Sequence, residues 1–182
     1  MTTLLSFSQK KEKIKGNKNV TQIETPVSDF NRIVIGEKFK VDLIESNSPS
    51  VFIETDENLH EVIIFTVNDS TLTFKTTKRI ASSKKLNITI NYNKLLKQIE
   101  TIEDAEINSL TSINLPNLVI VNSGTSKAFL NVKSDVFKYI NNDRAKVKLN
   151  LTSKNAALEL NDNSNFEALI NSDSLVVDMA ER

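Results

Sequence analysis

Leu118-Val119-Ile120-Val121, Phe137-Lys138-Tyr139-Ile140, Ala156-Ala157-Leu158-Glu159 and Leu175-Val176-Val177-Asp178 are one four-residue segment written four times, 19 residues apart, and Ile99-Glu100-Thr101-Ile102 stands one interval earlier. Within each unit a second series follows, Thr111, Leu130, Leu149 and Ala168, and two residues later a third, Ile113, Val132, Leu151 and Ile170. Most of these positions are apolar and lie two residues apart. A fixed period marks stacked repeats, and a spacing of two marks strands with one face turned inward. A 19-residue unit is too short for a helix pair with turns and carries no leucine-rich consensus. It suits one coil of a parallel β-helix, in which short strands joined by corners lie on the previous coil at roughly 4.8 Å. The corners recur with the same period: Asn114-Leu115-Pro116-Asn117, Lys133-Ser134-Asp135-Val136, Thr152-Ser153-Lys154-Asn155 and Asn171-Ser172-Asp173-Ser174. Asn, Asp, Ser and Pro suit corners because they accept turn dihedrals or hydrogen-bond their own backbone.

The length of 182 residues fits one domain with a sizeable core. Residues 1–25 lack periodicity and read as a flexible leader; residues 26–182 read as a single β-helical domain. At the start, Leu4-Leu5-Ser6-Phe7-Ser8-Gln9 before Lys10-Lys11-Glu12-Lys13 resembles the remnant of a secretory signal peptide. Between Phe30 and Tyr92 the chain is strand-rich without the strict period: Phe39, Val41 and Leu43 alternate, as do Leu72 and Phe74, then Leu86, Ile88, Ile90 and Tyr92. This half is expected to form less regular coils or hairpins that cap the stack. Asn is abundant. Asn122 and Asn141 fall one period apart, as a stacked Asn ladder requires, although an AT-rich genome accounts for Asn enrichment equally well.

Several stretches resemble a known family. Phe30-Asn31-Arg32-Ile33-Val34-Ile35-Gly36, Lys40-Val41-Asp42-Leu43, Val51-Phe52-Ile53-Glu54-Thr55-Asp56-Glu57-Asn58-Leu59 and Leu72-Thr73-Phe74 are similar to the head-GIN-domain family, the putative auto-transporter adhesins common in Bacteroidetes. Leu115-Pro116-Asn117-Leu118 and Asn122-Ser123-Gly124 resemble its Pro-x-Leu and small-residue turn elements, and the match covers roughly residues 28–180. The resemblance implies a right-handed parallel β-helix, a β-solenoid here of about 19-residue coils, and export across the inner membrane. It brings no catalytic residues. The chain departs from the family's Gly-rich turns in having only three Gly.

Chemistry narrows the function further. The formal net charge is zero, so nucleic acid is not an expected partner, and no stretch approaches the ~20 apolar residues of a membrane-spanning helix. There is no Cys, and the one His, His60, has no nitrogen or sulfur companion for a metal cage. Neither a Gly-x-Ser-x-Gly elbow nor a phosphate-cradling glycine loop occurs. No cofactor is expected. Glu100, Glu103, Asp104 and Glu106 form a candidate acidic face that could supply an acid pair or a calcium site, as in carbohydrate-active β-helix enzymes. Corners of about four residues leave little room for such an enzyme's cleft.

The outward register offers another surface. Ile102, Val121 and Ile140 fall in one column at 19-residue spacing, flanked by Val119 and Phe129. Either another segment packs over this stripe or it is a partner surface. The last repeat ends on Val177 and Met179 without an atypical capping sequence, so a homodimer through the C-terminal coil or the stripe is a further expectation. The expected function is a non-enzymatic, exported, adhesin-like module that recognises a glycan or a protein of the envelope, in the periplasm, at the cell surface or secreted. A structural or stress-sensing envelope module, a self-assembling scaffold and the carbohydrate enzyme are the alternatives.

Overall fold

The computed structural model describes residues 11–180, so residues 4–10 of the signal-like stretch lie outside the described residues. The chain runs through β1 (Lys13–Lys15), β2 (Val20–Pro26), β3 (Arg32–Ile35), β4 (Lys40–Glu45) and β5 (Ser50–Asp56) into a 3₁₀ helix, Glu57–Val62. Then come β6 (Ile63–Asn68), β7 (Thr71–Thr76), β8 (Arg79–Ser82), β9 (Leu86–Tyr92), β10 (Gln98–Thr101), β11 (Glu106–Ser109) and β12 (Ile113–Asn114). The last four strands are β13 (Asn117–Asn122), β14 (Lys127–Asn141), β15 (Lys146–Asn161) and β16 (Asn165–Ala180). Strands β1 and β8 form a parallel two-stranded ribbon; the rest make one 14-stranded sheet.

The fold is all-β, but the expected right-handed parallel β-helix is not its architecture. The large sheet is a curled, open half-barrel of mixed strand orientation. Strands β2 and β5, β5 and β9, and β6 and β7 pair antiparallel. Parallel pairing joins β7, β3, β10, β13 and β14 on one side and β9, β4, β11 and β14 on the other, and continues to β15 and β16. The 19-residue period belongs only to the C-terminal stretch, and it reports local register, not closure. Hairpins from the aperiodic half join the same sheet, so the strand direction alternates where a uniform coil would keep it.

The register also departs from the period at one point. Leu118, Phe137, Ala156 and Leu175 pair as the spacing predicts, but Ile99 lies beside Ile120, 21 residues on, and not beside Leu118. Four residues separate Asn108 from Ile113, whereas two separate their partners Phe129 and Val132. The extra pair sits in the exposed Leu110-Thr111-Ser112 turn, so Thr111 does not join the inward column of Leu130. Beyond this turn the 19-residue register resumes.

Inward side chains build the core in columns across the sheet. One runs Leu72, Ile33, Ile99, Ile120, Tyr139 and Leu158; another runs Ile88, Val41, Ile107, Ala128 and Val147. All are buried. A polar column lines the end of one row: Asn122 donates to Asn141 Oδ1 at 3.2 Å and accepts from the hydroxyls of Thr101 and Ser126. The residues spaced for an Asn ladder are therefore hydrogen-bonded to each other inside the protein.

The segment expected as a flexible leader carries strands where it is described. Strand β2 pairs with β5 along seven positions and β1 with β8 along three. Asp56 ties the connection down. Its buried carboxylate accepts from the backbone N–H groups of Lys18, of Lys84 at 2.7 Å and of Lys85 at 3.3 Å. The Asn58 side chain accepts from the Asn17 N–H and donates to the Lys15 carbonyl, both at 2.9 Å.

Candidate functional site

The structure gives each of the four acidic candidates its own partners, cations for three of them and a backbone N–H for Glu103. Glu100 projects outward from β10 and pairs with Arg32 on β3. Glu106 lies near Lys40 at 3.5 Å and Lys127 at 3.9 Å, the cations of the two neighbouring strands. Asp104 accepts from the Thr125 hydroxyl, which, with Lys38 at 3.7 Å, holds its carboxyl below the usual aspartate range. Glu103 is a turn residue, and its Oε2 accepts from the Glu37 N–H at 2.6 Å.

That last contact belongs to a column of left-handed turns. Glu37, Glu103, Gly124, Asp143 and Asp162 have φ of +54°, +57°, +71°, +58° and +55°. Asp143 Oδ2 accepts from the Gly124 N–H at 2.8 Å, and Asp162 Oδ2 from the Asp143 N–H at 3.3 Å. In this conformation the N–H points along the stack, and the next turn's carboxylate satisfies it. Gly124 is the place where only glycine fits: a Cβ there would lie 2.9 Å from the Glu103 backbone N and O. The carboxylates at this edge are thus turn ligands. Among the described residues, no group of three or more His, Asp and Glu is placed to hold a metal ion. His60 sits on the 3₁₀ helix with Nε2 3.0 Å from the Thr21 hydroxyl.

The apolar candidates divide. Val119 and Val121 on β13 and Ile140 on β14 all project from the outer face, and Val121 lies directly beside Ile140. They are half-buried by their strand neighbours. Val34 on β3 joins them through the register Val34, Glu100, Val121, Ile140; the period hid it because β3 lies 66 residues before β10 in that register. Ile102 falls past the end of β10 and packs at Gly36, where a Cβ would meet its Cγ1 at 3.0 Å. Glu100, not Ile102, stands beside Val121, a consequence of the two extra residues in the Leu110 turn. Phe129, 38% exposed, lies across the turn on the other arm of β14, between Asn108 and Lys148. The stripe is therefore Val119, Val121 and Ile140, with Val34 set apart from Val121 by Glu100, and it is flanked by the Arg32–Glu100 and Lys138–Glu159 ion pairs.

A family model described as "Putative auto-transporter adhesin, head GIN domain" matches residues 29–180. The chain belongs to this family. No curated protein matches the sequence. Among solved structures, this head GIN domain is similar to a "putative lipid binding protein" from Parabacteroides distasonis, with a TM-score of 0.65 at 13% identity over 94% of this chain and 100% of that one. A "putative adhesin" from Bacteroides fragilis gives 0.60 at 14% identity, covering 93% and 100%. Another from Parabacteroides merdae gives 0.57 at 16%, covering 94% and 99%. At these identities the likeness concerns the fold. Among the described residues, no helix is long and apolar enough to cross a membrane.

Proposed function

We propose that this head GIN domain is a non-enzymatic, adhesin-like binding module of the cell envelope, exported to the periplasm, the cell surface or the medium, that receives a glycan or protein ligand on the outer face of its parallel arm. The observation that carries this reading is the stripe of Val119, Val121 and Ile140, half-buried apolar side chains on the outer face of the neighbouring strands β13 and β14, with Val34 beyond Glu100 on the same face. A sheet face suits an extended ligand, and contiguous apolar side chains on a soluble surface mark interaction sites. The carboxylates that an enzyme would need are already committed to ion pairs and turns. Family membership supports the adhesin class.

The test is a glycan array together with a pull-down from envelope extracts, using the wild type and the Val121→Lys/Ile140→Lys variant. Both residues point outward, so the variant is expected to keep its melting transition and lose ligand capture. Equal capture by a folded variant would remove the stripe from the reading, and turnover of any glycan in a panel would remove the non-enzymatic class.

A further inference from the structure

Strand β16 ends the parallel arm, and among the described residues no strand pairs with its outer edge. Its ladder with β15 skips Asp173 and the inward face changes parity there, which marks a bend between two arms of equal length, 165–171 and 174–180. Phe166, Ala168 and Ile170 in the first arm and Leu175, Val177 and Met179 in the second continue the inward columns of Val147, Leu149, Leu151, Ala156, Leu158 and Leu160. The inward parity is even before the bend and odd after it. Leu169, Val176 and Met179 are 74%, 63% and 75% exposed. An unpaired apolar edge of this length is a template for another strand.

The backbone shows which groups are free. The Asn165 N–H donates to the Ala145 carbonyl at 2.9 Å, and the Ala180 carbonyl accepts from the Asp162 N–H at 2.9 Å. Residues 165, 167, 169 and 171, and 174, 176, 178 and 180, therefore direct their polar groups back toward the preceding turn of the chain. By the alternation of a strand, residues 166, 168, 170, 175, 177 and 179 direct theirs to the open edge.

We propose that β16 pairs antiparallel with β16 of a second copy of this chain, about a two-fold axis passing between Ser172 and Asp173. This register places Phe166 opposite the partner's Met179, Ala168 opposite the partner's Val177 and Ile170 opposite the partner's Leu175. Inward residues then face inward residues, and free backbone groups face free backbone groups. Both parities match in one register because the bend shifts them together, and the equal arms make the edge complementary to itself, as a two-fold interface requires. On the outer surface Leu169 meets the partner's Val176. Glu167 meets the partner's Asp178, a like-charge pair that weakens the association.

Two measurements test the proposal on the full chain, which contains no Cys of its own. Leu169 and the partner's Val176 form a non-hydrogen-bonded antiparallel pair, with Cα atoms about 4.5 Å apart, within disulfide range. A mixture of the Leu169→Cys and Val176→Cys variants is expected to give cross-linked dimers under mild oxidation, and neither variant alone should do so. Sedimentation velocity across micromolar concentrations is expected to show a reversible dimer that tightens about tenfold in Asp178→Lys, where the repelling pair becomes an attracting one. A strict monomer, or a dimer whose mixed variants cross-link no better than either variant alone, would overturn the pairing. Weaker association in Asp178→Lys would overturn the register.

Discussion

Leu149 lies in the inward column between Leu130 and Ala168 and is buried. Removing its isobutyl group forfeits burial and leaves a void that an in-register sheet closes poorly, so Leu149→Ala is expected to cost about 2–5 kcal/mol. Thermal or denaturant unfolding measures it, and a melting temperature within about a degree of wild type would show that this side chain does not face the core. Asp56 sets a different kind of residue-scale dependence. Burial pushes its carboxyl upward, but the N–H groups of Lys84, Lys18 and Lys85 outweigh burial and hold it below its ordinary 3.8. Glu37 behaves likewise: burial raises it, and hydrogen bonds from Lys11 and Thr76 bring it below 4.5. A carboxyl depressed in the folded state contributes stability that is present above its unfolded value and lost as pH falls through its folded value. The melting temperature is therefore expected to hold down to about pH 5 and to fall progressively below it, with a shallower acid limb in Asp56→Asn.

At the scale of elements, strands β13 and β14 depend on the polar column at their ends as much as on the apolar ones. Asn122 and Asn141 are fully buried, and Asn122 serves Thr101, Ser126 and Asn141 at once. Asn122→Ala removes the acceptor shared by the Thr101 and Ser126 hydroxyls and leaves the buried Asn141 Oδ1 without its donor, and is expected to cost about 1–3 kcal/mol, read by chemical denaturation. The turn between β11 and β12 has the opposite character. Its two extra residues are exposed, and the ladder resumes its register after them. Deleting Leu110 and Thr111 is expected to leave the fold intact and change stability by less than about 1 kcal/mol, because surface loops tolerate length changes. Melting of the deletion variant checks this.

Across the whole molecule, the described N-terminal residues and the sheet form one structure. Strand β2 covers the edge of β5, and Asp56 and Asn58 hold the chain between β1 and β2. Removing residues 1–26 uncovers that edge and leaves the Asp56 carboxylate short of a donor. Calorimetry of the truncated chain is expected to show a clear drop in melting temperature, where loss of a free tail would change nothing.

The C-terminal strands, their inward and outward faces and the in-register stacking of Leu118 through Leu175 were legible in the sequence, because side-chain alternation and turn residues are local and repeat visibly. The one-period spacing of Asn122 and Asn141 allowed a ladder or mere Asn enrichment, and the structure pairs the two. Strand direction was not legible. Nothing local in Val51-Phe52-Ile53 or Ile63-Ile64-Phe65 distinguishes an antiparallel hairpin from a coil of a helix, since both want the same alternation; the choice depends on which distant strand offers a free edge. The ion pairs Arg32–Glu100 and Lys40–Glu106, the register of Val34 beside Glu100 and the hydrogen bond from the Lys18 N–H to Asp56 join residues 38 to 68 positions apart, with no period linking them. Local periodicity determined the strands and their faces. Only the long-range register of the tertiary structure decided which strands met, and therefore which surface groups were spent and which were left for a partner.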